Sequence, residues 1–388
     1  STSLFFPKRL KGTALGIQAG IGNFGVSLAQ FVTPVILSIA LYGAPSIFTK
    51  IDVKEAKEIF ATTSLDQQAQ LFSTLDLKKQ EAILSNVDAK VLDSVKAAIN
   101  SRDHSQIFVS LPLATKSKII DNANPKLAEI FLETLRPGNK AVTNQEIYIQ
   151  SAAFWYVPFL IIMAILSWFY LKSIPMKASI TEQLDIFKSK HTWYCTITYL
   201  MTFGTFAGLS AAFPLMIKFL YGEFPGAPDP LKYAFYGPLI GSASRVLFGF
   251  IADKVGGAIL TTITGLGILG GTVILVTQGL VAPTSMEQFP LFVGIILMIF
   301  FFTGVGNAGT FRQYPIIFGD NPRQAAGVIG WTAAVAAFGP FIFSKLIGAN
   351  ISSNGGANQF FIGLIIFSLI ATFINWWFYN RKGCEKPS

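Results

Sequence analysis

Charge is scarce in this sequence. Asp, Glu, Lys and Arg make up 13% of its 388 residues, where a soluble domain carries about a quarter. That deficit excludes a soluble enzyme of this length. Cysteine and histidine are nearly absent, with two of each. Cys195 and Cys384 match no metal or disulfide spacing, and His104 and His191 lie near no candidate nucleophile or ligand set. No metal, cofactor or enzymatic activity is therefore expected, and Cys195 reads as a small buried hydrophobe. A secretory signal pattern is missing too, and the chain opens Ser1-Thr2-Ser3 without Met, so it reads as a piece of a longer product.

Apolar residues fill the space that charge leaves. They make up 52% of the chain, and Phe alone occurs 36 times. A membrane span needs about 20 mostly apolar residues. Eight stretches qualify: 12–42, 151–172, 192–220, 233–252, 258–281, 289–311, 324–347 and 358–379. None of them contains Asp or Glu. The net charge of +9 then belongs to the loops, and no nucleic-acid partner is expected. Lys8, Arg9 and Lys11, then Lys172, Lys177, Lys188 and Lys190, then Lys254, Arg323, Arg381, Lys382 and Lys386 all fall on one side. The alternate loops hold little more than Lys232. The positive-inside rule places the basic side, and both termini, in the cytoplasm. The expected location is the inner (plasma) membrane, as a multi-pass protein in the lipid bilayer.

The chain divides accordingly. A first span reaches residue 42, and residues 43–150 form an insertion facing away from the cytoplasm. A second span covers 151–172, and a central loop 173–191. A six-span half covers 192–380, and a tail 381–388. The insertion is polar and too long for an ordinary connection. Ser64-Leu65-Asp66, Thr74-Leu75-Asp76 and Asn86-Val87-Asp88 each precede a run of apolar residues at helical spacing. Their side-chain oxygens can accept a free N–H at a helix start, so a stack of short helices is expected. Pro112, Pro125 and Pro137 punctuate its second half. It is either a tolerated insertion, since lengthening a surface loop costs little, or a partner-binding or gating module.

Spans one and seven echo each other. A shift of 314 residues aligns Arg9 with Arg323, Gly16 with Gly330, Ala19 with Ala333, Phe24 with Phe338 and Gly25 with Gly339. Transporters are often built from such repeats, with substrate held between them. Helix packing alone also accounts for the glycines, though less readily for the flanking Arg and the Phe-Gly pair.

Arg245 carries the chemistry. It lies inside span four, in Gly237-Pro-Leu-Ile-Gly-Ser-Ala-Ser-Arg245, and no span supplies a carboxylate for it. An arginine at membrane depth is costly unless it faces a cavity or a partner. A planar oxyanion would complete it, because guanidinium offers paired in-plane donors. The alternative is a side chain that snorkels or bonds backbone carbonyls. After it comes Asp253-Lys254-Val255-Gly256-Gly257, which resembles the short inter-span motif of the major facilitator superfamily. There an Asp can accept from helix N-terminal amides and lock two helices in one state. Asn23 in span one and Asn307 in span six each put an amide among glycines, to serve an anion or pin a helix. Tyr199 and Phe203 lie one turn apart on one face of span three.

Phe5-Phe6-Pro7-Lys8-Arg9-Leu10-Lys11-Gly12-Thr13-Ala14-Leu15-Gly16, running into Ala19-Gly20-Ile21-Gly22-Asn23, resembles the fifth span of the nitrate/nitrite porter family of that superfamily. Gly327-Val-Ile-Gly330 through Phe338-Gly339 resembles its eleventh, Gly237 to Arg245 its eighth, and Gly304-Val-Gly-Asn307 its tenth. The resemblance covers the whole membrane portion. It implies an all-α bundle equivalent to the last eight of twelve helices, carrying nitrate and nitrite by alternating access. It implies substrate contacts at Arg245, Asn23, Tyr199, Phe203, Gly20, Gly330 and Asn307. Gly16, Gly22, Gly25 and Gly339 would be sliding surfaces, and Asp253 a conformational lock. The family has twelve spans, so the first four, with a second arginine, are expected to be missing: this chain is cut from a longer product, takes a missing N-terminal half as partner from another chain, or comes from a degraded gene, and alone it would hold half a site. Without a membrane carboxylate, nitrate–nitrite exchange is favoured over a carboxylate proton relay. Two rivals stay open: a porter of other small organic anions, and a membrane scaffold or receptor whose working part is the insertion.

Overall fold

The computed structural model describes residues 6–87, 89–122, 125–171, 180–222, 224 and 226–388. Among them are eight helices long and apolar enough to cross a membrane: Lys11–Ile36, Ser151–Tyr170, Lys190–Tyr221, Leu231–Val255, Gly257–Thr277, Met286–Ile317, Pro322–Asn354 and Asn358–Asn380. These are spans one to eight. All eight apolar stretches hold helices, but those of spans one and five stop short, at Ile36 and Thr277, and several others outrun their stretch. Span four takes in Asp253 and Lys254, and span six runs on through Arg312. Backbone hydrogen bonding continues a helix past the apolar boundary as long as the exposed turn is solvated or paired. Span seven is not continuous. It breaks between Pro322–Ala336 and Gly339–Asn354, where Pro340 has no N–H to continue the ladder. Lys172 at the end of the second expected span, Lys177 of the central loop, and Asp88 lie outside the described residues.

The chain forms two compact units, Ser1–Val35 with Trp168–Ser388, and Ile36–Ser167. In the first, span six is the central helix, packed against spans four and five. Phe292, Ile296, Ile299 and Phe300 are fully buried along it. Burying each such side chain stabilises by about 2 kcal/mol where water is the alternative. Inside a membrane the gain comes from tight packing instead, and small residues make that packing close. A Cβ on Gly304 would stand 2.0 Å from Ser244 Oγ and 2.2 Å from the Gly241 carbonyl. Spans four and six therefore touch backbone to backbone just outside the Arg245 turn. A Cβ on Gly16 of span one would meet Gly249 Cα at 2.9 Å and the Arg245 carbonyl at 3.2 Å.

Polar side chains fasten the helices at the basic end. Gln313 Nε2 donates to Asn375 Oδ1 at 2.9 Å, and Asn375 Nδ2 donates to the Ala258 carbonyl and to Thr262 Oγ1, joining spans five, six and eight. The tail docks beneath them with charges that suit the helix ends it meets. Glu385 accepts from Lys190 at 2.8 Å and lies 3.2 Å from His191 Nε2, at the N-terminus of span three. Lys386 Nζ donates to the carbonyl of Ile317, the last residue of span six. The Ser388 carbonyl accepts from Ala258 N–H in the first turn of span five. In the central segment Gln324 Nε2 donates to Asp185 at 3.0 Å, and Arg323 pairs with the same carboxylate. These partners hold the Asp185 carboxyl below its usual pKa, the Gln324 hydrogen bond most of all.

In the second unit the two ends of the insertion are clasped by an antiparallel strand pair, Ser46–Ile51 with Val142–Ile147. Seven helices lie between them among the described residues, from Val53–Thr62 to Pro125–Leu135. Two caps are Ser64, accepting from Gln67 N–H, and Asp76, accepting from Lys79 N–H. Asp76, not Thr74, caps the second, because it is the residue adjacent to the helix start. Pro125 opens its helix and Pro137 follows the last one, positions where the missing N–H costs nothing. The core holds Phe60, Phe72, Phe108 and Phe131, all nearly or fully buried, with Phe72 stacked on Phe108 at 4.4 Å. Lys116 is buried in this core too, its ammonium donating to Gln68 Oε1 at 3.0 Å.

Candidate functional site

Arg245 is 1% exposed, and its Nε and Nη2 have no hydrogen-bond partner. No carboxylate pairs with it among the described residues. It does not snorkel. Its guanidinium carbon lies 4.4 Å from the centre of the Phe311 ring. A buried guanidinium loses several kcal/mol of hydration, and a desolvated cation–π contact returns about 2 kcal/mol of that. The remainder is an unmet demand for an anion or for water.

Three helices converge on this group. Span four brings Arg245 and span six brings Phe311. Span three brings Tyr199 and Phe203. Tyr199 stacks on Phe203 at 5.3 Å and 11°, and on Phe311 at 5.5 Å and 14°. The Tyr199 hydroxyl also interacts with the Arg245 guanidinium. The stack is built where span three leaves α-helical geometry for a π turn over Leu200–Gly204. Such turns widen the helix by one residue and recur at functional sites. Asn307 lies one turn before Phe311 on span six, fully buried, with neither amide atom bonded. An uncompensated amide of this kind costs about 1–3 kcal/mol, so Arg245 and Asn307 pose the same demand from adjoining helices.

The remaining expected site residues fall out differently. Asn23 on span one is half-buried, and its Nδ2 has no partner. Gly20 is a packing residue here, since a Cβ would strike Val246 at 2.5 Å. Gly22, Gly25 and Gly330 face open space, with nothing within 4 Å of a Cβ. Gly339 packs on the Gly204 carbonyl at the break in span seven. The equivalent glycines of the repeat thus sit in unlike surroundings, Gly16 packed and Gly330 open. Phe311 is the site residue that sequence reasoning missed. The signal was available: Gly304, Asn307 and Phe311 are spaced three and four apart and share one face. An apolar cavity of about 410 Å³ between spans three, seven and eight touches Leu200, Gly204 and Gly339 but not Arg245. It lacks the charge that an anion requires.

At the basic end Asp253 accepts from the Gly12 and Thr13 N–H groups at 2.8 and 2.7 Å and from Thr13 Oγ1 at 2.7 Å. It thereby caps the N-terminus of span one from the last turn of span four. Arg312 Nε of span six lies 2.9 Å from its Oδ1, both side chains being largely buried. Arg312 was not anticipated, because the apolar stretch of span six ends one residue before it.

Residues 44–137 match the family model described as "MgtE intracellular N domain", which covers the insertion alone. Over its whole length the chain is 44% identical to the probable nitrate/nitrite antiporter NarK2 of Thermus thermophilus, covering 67% of that protein. It is 26% identical to the nitrate/nitrite transporter NarU of Salmonella typhimurium, across 98% of this chain and 66% of that one. The chain thus spans about two thirds of the length of these relatives. A solved structure, the major facilitator superfamily transporter FucP in its outward conformation, aligns with a TM-score of 0.47 and 10% identity over 95% of this chain and 99% of that one. With the full-length identity to NarK2, and with eight membrane-spanning helices, the chain belongs to the nitrate/nitrite porter family of the major facilitator superfamily.

Proposed function

We propose that this chain carries nitrate and nitrite across the membrane by alternating access, with Arg245 as the principal anion ligand. The observation that carries this reading is a fully buried arginine with two donors unbonded and no carboxylate partner among the described residues. Planar oxyanions present two oxygens in one plane and match the guanidinium fork. Tyr199 and Asn307 supply further polar groups, and Asn23 on span one keeps an amide nitrogen without a partner. The names of the relatives support the same substrates. With no carboxylate at the site among the described residues, binding one anion in place of another keeps the charge balanced, which suits nitrate–nitrite exchange. The test is flux of labelled nitrate in proteoliposomes, with nitrite and small carboxylates as competitors. Equal competition by carboxylates would move the assignment to a broader organic-anion porter.

Asp253 acts as the lock. It holds span one to span four by accepting its first N–H groups, and span six by Arg312. Releasing it frees the helix ends to move as the two sides exchange access. Charge bias in the loops supports a reading in which the basic end is cytoplasmic in a plasma-membrane protein and the insertion faces the other way. The domain that the insertion resembles is described as intracellular in MgtE. Labelling an engineered cysteine at Ser101 with a membrane-impermeant reagent on intact cells decides the side. A receptor role for the insertion is favoured by one observation, that it lies in a compact unit, Ile36–Ser167, separate from spans three to eight.

A further inference from the structure

We propose that Phe311 is the positioning residue for Arg245. Its ring carries the guanidinium where a carboxylate would otherwise stand, and so leaves the donor edge free for the transported anion. This rests on the anion reading above.

A buried cation must be offset by something. A carboxylate would do so through bidentate hydrogen bonds in the guanidinium plane. It would then occupy the same edge that an incoming oxyanion needs and compete with it directly. A ring face attracts the cation through its quadrupole and uses no hydrogen bond. Arg245 meets Phe311 at 4.4 Å, while its Nε and Nη2 stay unbonded. The ring contact and the anion contact therefore use different parts of one group.

The ring is itself held. Phe311 is 8% exposed and lies nearly parallel to Tyr199, which lies nearly parallel to Phe203. A three-ring stack sets the plane on which the guanidinium rests. Close contact of spans four and six at Gly241 and Gly304 brings Arg245 within reach of that plane. Holding a flexible side chain ready lowers the ordering cost of binding. Loss of the ring's attraction therefore weakens the anion without removing the charge.

The experiment uses the full chain in proteoliposomes and reads apparent KM and maximal rate for labelled nitrate. Phe311 is replaced by phenylalanines bearing one, two and three ring fluorines, which drain the ring's negative face with little change of shape. The expected result is a stepwise rise in apparent KM reaching roughly tenfold, with the melting temperature nearly unchanged. Phe311→Leu should match the trifluoro variant, and Phe311→Tyr should keep most of the affinity. An unchanged KM along the fluorine series overturns the role of Phe311 and leaves Arg245 as the anion ligand. If the wild-type chain neither binds nor moves nitrate, the anion reading falls and this inference falls with it.

Discussion

Asp253 lies 2.9 Å from Arg312 while it receives the Gly12 and Thr13 N–H groups in the first turn of span one. One carboxylate thus joins the ends of spans one, four and six. Its two kinds of partner differ in what they cost to lose. The N–H groups can turn to water when span one moves, but Arg312 is largely buried. Asp253→Asn should lower stability by about 2–4 kcal/mol, because it strands a buried cation. Asp253→Ala and Arg312→Ala should be less than additive in a double-mutant cycle, with a coupling of about 1–3 kcal/mol. Full additivity in melting experiments would remove the lock.

Arg245→Lys keeps the charge but loses the planar fork and the flat contact with Phe311. Nitrate uptake should fall about a hundredfold, the value of two charge-assisted hydrogen bonds, at nearly unchanged melting temperature. Wild-type exchange by this variant in liposomes would end the assignment of Arg245 as anion ligand.

Burial pushes the Lys116 ammonium down to about 8, against an ordinary value of 10.5. The folded insertion therefore binds fewer protons than the unfolded one between those two values. Its stability should be lowest below about pH 8 and should climb as pH rises toward 10.5, by up to about 3 kcal/mol. Hydrogen exchange at the Phe72–Phe108 core of the intact protein, compared at pH 7 and pH 9.5, reads this directly. Slower opening at the higher pH is expected, and faster opening would contradict it. Lys116→Met should give a net gain of about 1–2 kcal/mol at pH 7, since Gln68 Oε1 loses its donor.

The strand pair brings the two ends of the insertion side by side, with Ser46 opposite Ile147. A short Gly-Ser linker can therefore replace residues 46–147 with little loop-closure cost. Nitrate flux should stay within about twofold, because the ends of the excised segment need not move. Loss of flux with intact folding would favour a gating role for the insertion.

Much of this architecture was open to reading from the chain itself. Eight apolar runs with no acid inside them can only be membrane helices, because the backbone must satisfy its own hydrogen bonds in hydrocarbon. Arg245 stood out for the same reason, as a charge with no partner at membrane depth. The signature segments of spans one and seven pointed to the family before any comparison. What misled was the habit of ending a helix where apolarity ends, which hid Arg312 one residue past the stretch. Paired glycines of the repeat do not share surroundings, since Gly16 is tightly packed while Gly330 is open.

Sequence alone therefore determined the membrane helices and the existence of an unpaired arginine, because burial of charge and of peptide groups is governed by local composition. Tertiary structure decided what the arginine meets. Phe311 is 66 residues away from it in the chain, by their numbers, and no periodicity within span four or span six reports the distance between them. That contact depends on two glycines, Gly241 and Gly304, letting separate helices close to van der Waals range, and packing of that kind exists only once the helices are assembled.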